Sequence, residues 1–478
     1  MSPVVYAVIG IPFASAIVLA VLPGYRLGAA LNVVASFAAF LVGLSLLTVT
    51  GGADEYFIVD DVNIVFVVLN TLVGFTAALF SASYIGHEIE TGRVTPLAVR
   101  FYHAMYQVMM GSMSVALLAN NIGLLWVGLE LSTLITVVMV GLYRTPEAIE
   151  AAWKYFILGS VGISLAFFGT ILTYLAGQAA LGEGANAMSW SLLHANAARL
   201  DVSLLNLAFV FLLVGYGTKV GLAPMHAWLP DAHSEGPTPI SAVLSGLLLN
   251  VALYALLRFK MLIAANPDAM RPGPILIVMG LVSLIFAAFM LYQRRDIKRL
   301  FAYSSIEHMG LITFAFGMGG PLANFAGLLH MTMHSLTKSA IFFAVGHVAQ
   351  AKGTQRIADI RGLSVSHPGL AIGLTLGVLA IAGLPPFGVF MSEFLILTTT
   401  FARHPWLALL PAFGLVVAFG ALLLRLQSML FGEPNEPVHE VEASSIPFAL
   451  HLLIVLIAGL YLPSALVAWF QRAAEFLG

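Results

Sequence analysis

The chain has 478 residues, of which 60% are hydrophobic and 9% charged, with net charge −2 and mean hydropathy +0.96. Soluble domains carry about 25% charged residues, so a soluble globular protein is excluded, and the charge balance offers nothing to nucleic acid. The absence of cysteine excludes disulfides and cysteine-held iron–sulfur clusters here, so any electron chemistry belongs to other subunits.

Apolar stretches long enough to cross about 30 Å of hydrocarbon fall near 3–22, 28–49, 61–85, 101–119, 121–143, 152–177, 203–228, 237–260, 274–292, 299–318, 322–349, 368–398, 405–430 and 446–470. They predict an all-α polytopic membrane protein with about fourteen transmembrane helices. Met1-Ser2-Pro3 lacks a basic leader, so the first stretch reads as a span rather than a cleaved signal. Only Asn120 and Asn121 separate the fourth and fifth spans, and 178–202 reads as an interfacial loop.

Loop charges set the orientation. Loops after odd spans hold twelve positive residues: Arg26, Arg93, Arg100, Arg144, Lys154, Arg294, Arg295, Lys298, Arg299, Lys352, Arg356 and Arg361. The opposite loops hold six: Arg199, Arg258, Lys260, Arg271, Arg403 and Arg472. The odd loops are therefore expected in the cytoplasm and both termini outside.

Charges at bilayer depth come next. Glu130 lies mid-way along the fifth span, where a lone ionised carboxylate is prohibitively costly. Lys219 lies in an apolar seventh span and costs at least ~2.5–3.5 kcal/mol at bilayer centre. Each is the other's natural partner, either as a static pair or as a proton site, because desolvation disfavours charge and an opposite charge favours it. Pro224 and Pro230 then remove backbone donors, so this span must break. His226, Asp231, His233 and Glu235 surround the break and either lead protons to the surface or cap broken helix ends.

Glu307 and His308 stand in the tenth span, as an interior hydrogen-bonded pair or as relay members. His330, His334 and Lys338 follow at i, i+4 and i+8, on one helical face. Imidazoles titrate near neutral pH and both accept and donate. A metal site is disfavoured because Lys338 shares the face and no carboxylate flanks it. Glu393 follows a second Gly/Pro break, Gly383-Leu-Pro-Pro-Phe-Gly388, in the twelfth span. The two broken spans lie five apart, which places the units around them in opposite orientations, as inverted-repeat transporters require. Arg425 in the thirteenth span is left to snorkel.

Gly221-Leu-Ala-Pro-Met-His-Ala-Trp-Leu-Pro-Asp-Ala-His-Ser-Glu-Gly-Pro-Thr-Pro-Ile-Ser-Ala242 and Gln293-Arg-Arg-Asp-Ile-Lys-Arg-Leu-Phe-Ala-Tyr-Ser-Ser-Ile-Glu-His-Met-Gly310 resemble signatures of the antiporter-like subunits of respiratory complex I, Mrp antiporters and membrane-bound hydrogenases. Leu248-Leu-Asn250-Val-Ala-Leu-Tyr-Ala and Gly383 to Phe394 resemble the hydrogenase-4 component F branch. The resemblance implies inverted five-helix units at spans 4–8 and 9–13, dividing the chain into 1–100, 101–260, 273–430 and 431–478. It implies proton translocation through Glu130, Lys219, His330, His334, Lys338 and Glu393, with His226, Asp231, His233, Asn250, Glu307 and His308 as access or bridging candidates. It implies a bacterial inner-membrane complex of further antiporter-like subunits, lipids and a cytoplasmic redox module. That module would hold the iron–sulfur clusters and the nickel–iron centre or flavin; this chain would hold no cofactor or metal. Complex I relatives carry a bridging Lys on span eight; here stands Asn250, whose amide orients water but holds no charge. A subunit of a cation/proton antiporter, a subunit of an inorganic-carbon uptake complex, and a scaffold whose charges only specify packing are the competing readings.

Overall fold

The computed structural model describes residues 2–95, 99, 101–434 and 444–478. Met1 and Arg100, used above for the leader and the charge count, and 435–443, at the start of the last unit, lie outside the described residues.

In hydrocarbon every backbone N–H and C=O needs an internal partner, and helices supply it locally. The first half holds α1 (Pro3–Val21), α2 (Tyr25–Ser45), α3 (Asp61–Glu90), α4 (Tyr102–Leu118), α5 (Ile122–Val140), α6 (Pro146–Leu181) and α7 (Val202–Val220). Then come α8 (Trp228–Glu235), α9 (Thr238–Val243), α10 (Leu249–Ala264), α11 (Gly273–Leu291), α12 (Ile297–Met318) and α13 (Pro321–Lys352). The last are α14 (Pro368–Ile381), α15 (Gly388–Arg403), α16 (Pro405–Leu430), α17 (Ile446–Leu460) and α18 (Ser464–Phe476). Among the described residues the strands form one small hairpin pairing Gly52 with Val59.

Nine helices among the described residues, or ten if the bent pair α17–α18 is one span, are long and apolar enough to cross a membrane. The pair α17–α18 departs from expectation. The stretch 446–470 was read as one span, but the chain bends by 85° between these helices. Pro463 withholds a donor at the bend. The indole of Trp469 and the guanidinium of Arg472 then hold Asp61, at the head of α3, each at 3.2 Å.

Polar caps place the helix starts. Asp60 and Asn63 form a capping box on α3, and Asn121 accepts from the Gly123 and Leu124 N–H groups to begin α5. The Asn120 amide ties the same turn to the Asp54 carbonyl and the Ser189 hydroxyl, so two residues suffice to separate α4 from α5. Each such cap is worth about 1 kcal/mol.

Large apolar side chains such as Trp406, Ile17 and Val416 point outward, while Lys219, Lys298, Lys338, Glu307 and His330 are buried. Without a hydrophobic drive between helices in lipid, small residues let backbones meet. A Cβ on Gly215 of α7 would lie 2.6 Å from the Gly162 carbonyl of α6, and one on Gly280 of α11 equally close to the Gly310 carbonyl of α12. α13 is the central helix, packed against α3, α9, α12, α14, α15, α17 and α18.

Loop contacts fall into two sets. Ile297 N–H donates to the Gln355 carbonyl and Lys154 pairs with Asp231, which joins odd-numbered loops. Asn266 reaches the Ala197 carbonyl and Arg403 the Gly319 carbonyl, which joins even-numbered ones. Arg258 and Lys260, counted above as loop charges, are instead buried in α10. Arg258 is held by Asp60 at 2.6 Å and by the Tyr254 hydroxyl at 2.8 Å, with Nη1 unpartnered. Segment 178–202 forms short helical turns, fixed to α10 where the Trp190 indole donates to the Arg258 carbonyl at 2.9 Å. Arg425 reaches the Tyr292 carbonyl.

Candidate functional site

α7 ends because Gly221 adopts a left-handed φ of 81°, which folds the Gly221 and Leu222 N–H groups back onto the Thr218 and Gly217 carbonyls. The Trp228 indole takes the Thr218 carbonyl as well, at 2.8 Å. Lys219 thus sits in the last turn of a buried helix, where its charge faces the negative end of the dipole. Its Nζ lies 3.9 Å from Glu130 Oε2 on α5. Neither atom has a hydrogen-bond partner. Lys219 is 1% exposed and the Glu130 side chain 18%, with Glu130 Oε2 itself buried.

Gly159 on α6 makes room for this lysine: a Cβ there would lie 3.1 Å from Nζ. Tyr155, one turn earlier, presents its ring 5.8 Å from Nζ and stacks on Trp228 at 4.3 Å. Gly159→Val is expected to push the flexible lysine off Glu130 without breaking the helix. Transport is expected to fall up to about a hundredfold, as misplacement by about 1 Å can do elsewhere, with normal subunit assembly by native gel.

The four residues around the break separate. Asp231 meets Lys154 and Arg299, both at 3.1 Å, and Arg299 also meets Glu235 at 3.6 Å. These acids tie α8 to α6 and α12 at the surface. His226 lies against Phe286 and Tyr303 with Nδ1 unpartnered. His233 is fully buried, stacked on Phe342 at 4.9 Å, with neither ring nitrogen partnered.

A second cluster joins α12, α13 and α15. His308 Nδ1 and His330 Nε2 share a hydrogen bond of 3.0 Å, and His330 Nδ1 and the Ser392 hydroxyl one of 2.9 Å. Glu307 Oε2 lies 3.1 Å from His308 Nε2 but is not aligned for a hydrogen bond. His334 stands with its ring 5.4 Å from that of His308, and both its nitrogens lack partners. Lys338 stands apart from the carboxylates: its Nζ donates to the Phe301 carbonyl at 3.0 Å and lies 5.6 Å over the Phe301 ring.

Glu393 comes to this cluster from α15, so a carboxylate does reach the histidines. Donor atoms of His308, His330 and Glu393 lie within 4.8 Å of one another, a spacing that could hold a metal ion. The facing nitrogens of the two histidines are, however, already hydrogen-bonded to each other.

Asn250 meets a serine. It follows a π-helical turn, Leu244–Leu248, and its amide nitrogen donates to the Ser335 hydroxyl on α13 at 2.5 Å and to the Gly246 carbonyl at 2.9 Å. Its Oδ1 is unpartnered. Beside it the Ser245 and Ser305 hydroxyls share a hydrogen bond of 2.7 Å, and Ser305 donates to the same Phe301 carbonyl that holds Lys338.

A family model described as NADH:quinone oxidoreductase/Mrp antiporter, TM, matches residues 119–419, which include both clusters. The chain belongs to this family. It is 58% identical to the Hydrogenase-4 component F homolog of Methylacidiphilum infernorum (isolate V4), over 98% of this chain and 99% of that one. Its fold matches a chain of the membrane-bound sulfane sulfur reductase, an archaeal respiratory membrane complex, with TM-score 0.87 and 24% identity over 100% of this chain and 98% of that one. It also matches a chain of respiratory complex I from Thermus thermophilus, with TM-score 0.81 and 24% identity over 99% and 100%.

For this antiporter-like membrane subunit, the serines are the site members that sequence reasoning missed. Ser245, Ser305, Ser335 and Ser392 are all fully buried. Serine is common in membrane helices and usually bonds back to its own helix, so residue type alone gives little signal. The usable hint was position: Ser392 precedes Glu393, and Ser335 and Ser339 flank Lys338.

Proposed function

We propose that this subunit moves protons along a buried row from Glu130 and Lys219, past Asn250 and the serines, to Lys338, His334, His330 with His308, and Glu393. The observation that carries this reading is the 3.9 Å gap between Lys219 and Glu130, with neither atom hydrogen-bonded. Unit charges at ~4 Å interact by about 4 kcal/mol at an effective dielectric of about 20. Opening or closing such a pair changes proton affinity roughly 10³-fold. A static structural pair would be expected to close into hydrogen-bond contact.

On this reading the chain works beside other membrane subunits of a redox-driven complex in a bacterial inner membrane, with its positive loops in the cytoplasm. A peripheral module would carry the iron–sulfur clusters and the nickel–iron centre or flavin. The similarity to the hydrogenase-4 component F homolog of M. infernorum supports a hydrogenase-type assembly. The breaks after α7 and α14 each hold a left-handed glycine, Gly221 and Gly383, and support two inverted five-helix units, 101–260 and 273–430. They would be flanked by 1–100 and 431–478.

The family description also covers Mrp antiporters, which keeps sodium as a second coupling ion to test. The intact complex is to be placed in liposomes and driven by its redox substrates, with internal pH and sodium followed together. Proton movement at the same rate with and without sodium is expected. Strict dependence on sodium would count against the proton row.

A further inference from the structure

The sequence treated Lys298 as a loop charge and gave Glu88 no part. Both are buried side chains behind a cavity of about 430 Å³, lined by Tyr84, Arg93, Tyr143, Ser234, Glu235 and Gln355 among others. The cavity lies among the odd-numbered loops that carry the positive excess. Glu88 on α3 is 0% exposed. Its Oε1 accepts from the Gln350 amide at 2.7 Å, and its Oε2 has no hydrogen-bond partner, with Arg93 the nearest cation at 3.8 Å. The Gln350 amide also holds the Tyr84 carbonyl, which places Glu88 directly behind the cavity wall.

Lys298 on α12 is 1% exposed and donates to the Ser234 and Gly236 carbonyls at 3.2 and 2.5 Å. Ser234 lines the cavity, so a single residue separates it from the ammonium. His233 precedes Ser234 and turns inward, with both ring nitrogens free of partners. Asp296, Glu235 and Glu88, in that order, are the carboxylates that act on the Lys298 ammonium, and the Lys298 and Lys338 ammonium groups are the charges that act on His233. Asp231 and Glu235, on the same helix, belong to the surface ion cluster. Four buried titratable groups on four elements thus lead from one cavity to the middle of the molecule.

We propose that this cavity is a water-filled mouth that delivers protons to Lys338 through Glu88, Lys298 and His233, separately from the Glu130–Lys219 pair. Lys298 passes a proton to a neutral His233 nitrogen and is refilled from protonated Glu88, which is recharged from water in the cavity. Charge is conserved at each hop, and His233 hands its proton to Lys338. The proposal rests on the proton-transport reading.

Two measurements on the assembled complex test it. This chain has no cysteine, so Ser234→Cys introduces a single thiol into this subunit. It is expected to react with a small membrane-impermeant thiol reagent in inside-out vesicles and not in right-side-out ones. Glu88→Gln is expected to lower proton transport at least about a hundredfold, the smaller end of what a lost proton-transfer group costs, while Glu88→Asp retains it. A thiol unreactive from both sides overturns the proposal. So does Glu88→Gln transporting at the wild-type rate where Lys219→Ala does not. If Lys219→Ala itself transports normally, the proton row fails instead, and the label still decides whether the mouth is open. If Glu88→Gln does not assemble, the label alone decides.

Discussion

Replacing His330 with alanine is expected to stop proton transport in an otherwise assembled complex. His330 is the one side chain that hydrogen-bonds both ways across the second cluster, to His308 of α12 and to Ser392 of α15. Alanine cuts that chain at its centre, and loss of a positioned proton-transfer group typically costs 10²–10⁴-fold. Stability should suffer less. The change leaves a small buried gap and His308 Nδ1 without a partner, roughly 1–3 kcal/mol, on a 32-residue helix packed on all sides, while the Ser392 hydroxyl keeps the Gly388 and Val389 carbonyls. His330→Gln separates carrying from positioning, because an amide keeps hydrogen bonds but cannot hold a proton charge at neutral pH. Internal pH in liposomes should show both variants inactive. Transport restored by Gln would make His330 a positioning residue only.

Lys219→Ala should be as severe, for a different reason. It removes the ammonium that Glu130 faces at 3.9 Å and with it the pair whose opening and closing changes proton affinity. The complex should still assemble. Glu130 can take a proton once its partner is gone, and the lysine makes no hydrogen bond that the fold would lose. Lys219→Met, which fills the same space without charge, is expected to match Ala in transport and exceed it in thermal stability. An active Met variant would mean that volume, not charge, is what this position supplies.

Much of this arrangement was legible because charge inside an apolar run is conspicuous. Glu130, Lys219 and the i, i+4, i+8 face of His330, His334 and Lys338 stood out on cost alone, and the prolines marked both helix breaks. Depth and distant contacts were not legible. Lys298 sits at a helix start and Arg258 near a helix end, so both read as loop charges until the fold buried them. Glu393 could not be placed beside His308 from a spacing of 85 residues, which is why a carboxylate near the histidines was not expected. The 85° bend before α18 escaped because 446–470 is apolar throughout, and a single Pro463 does not distinguish a kinked span from two helices. Asn250 looked like a gap in the row. Its hydrogen bond to Ser335 is an uncharged contact between α10 and α13, built from residues too common to attract notice.

The central claim is that Lys219 belongs to the proton path. It is tested most directly by the number of protons moved per electron in complexes carrying wild-type chain or Lys219→Ala, with redox turnover and internal pH recorded in the same liposomes. A lower proton-to-electron ratio is expected in the assembled Ala complex. An unchanged ratio in that complex would contradict it.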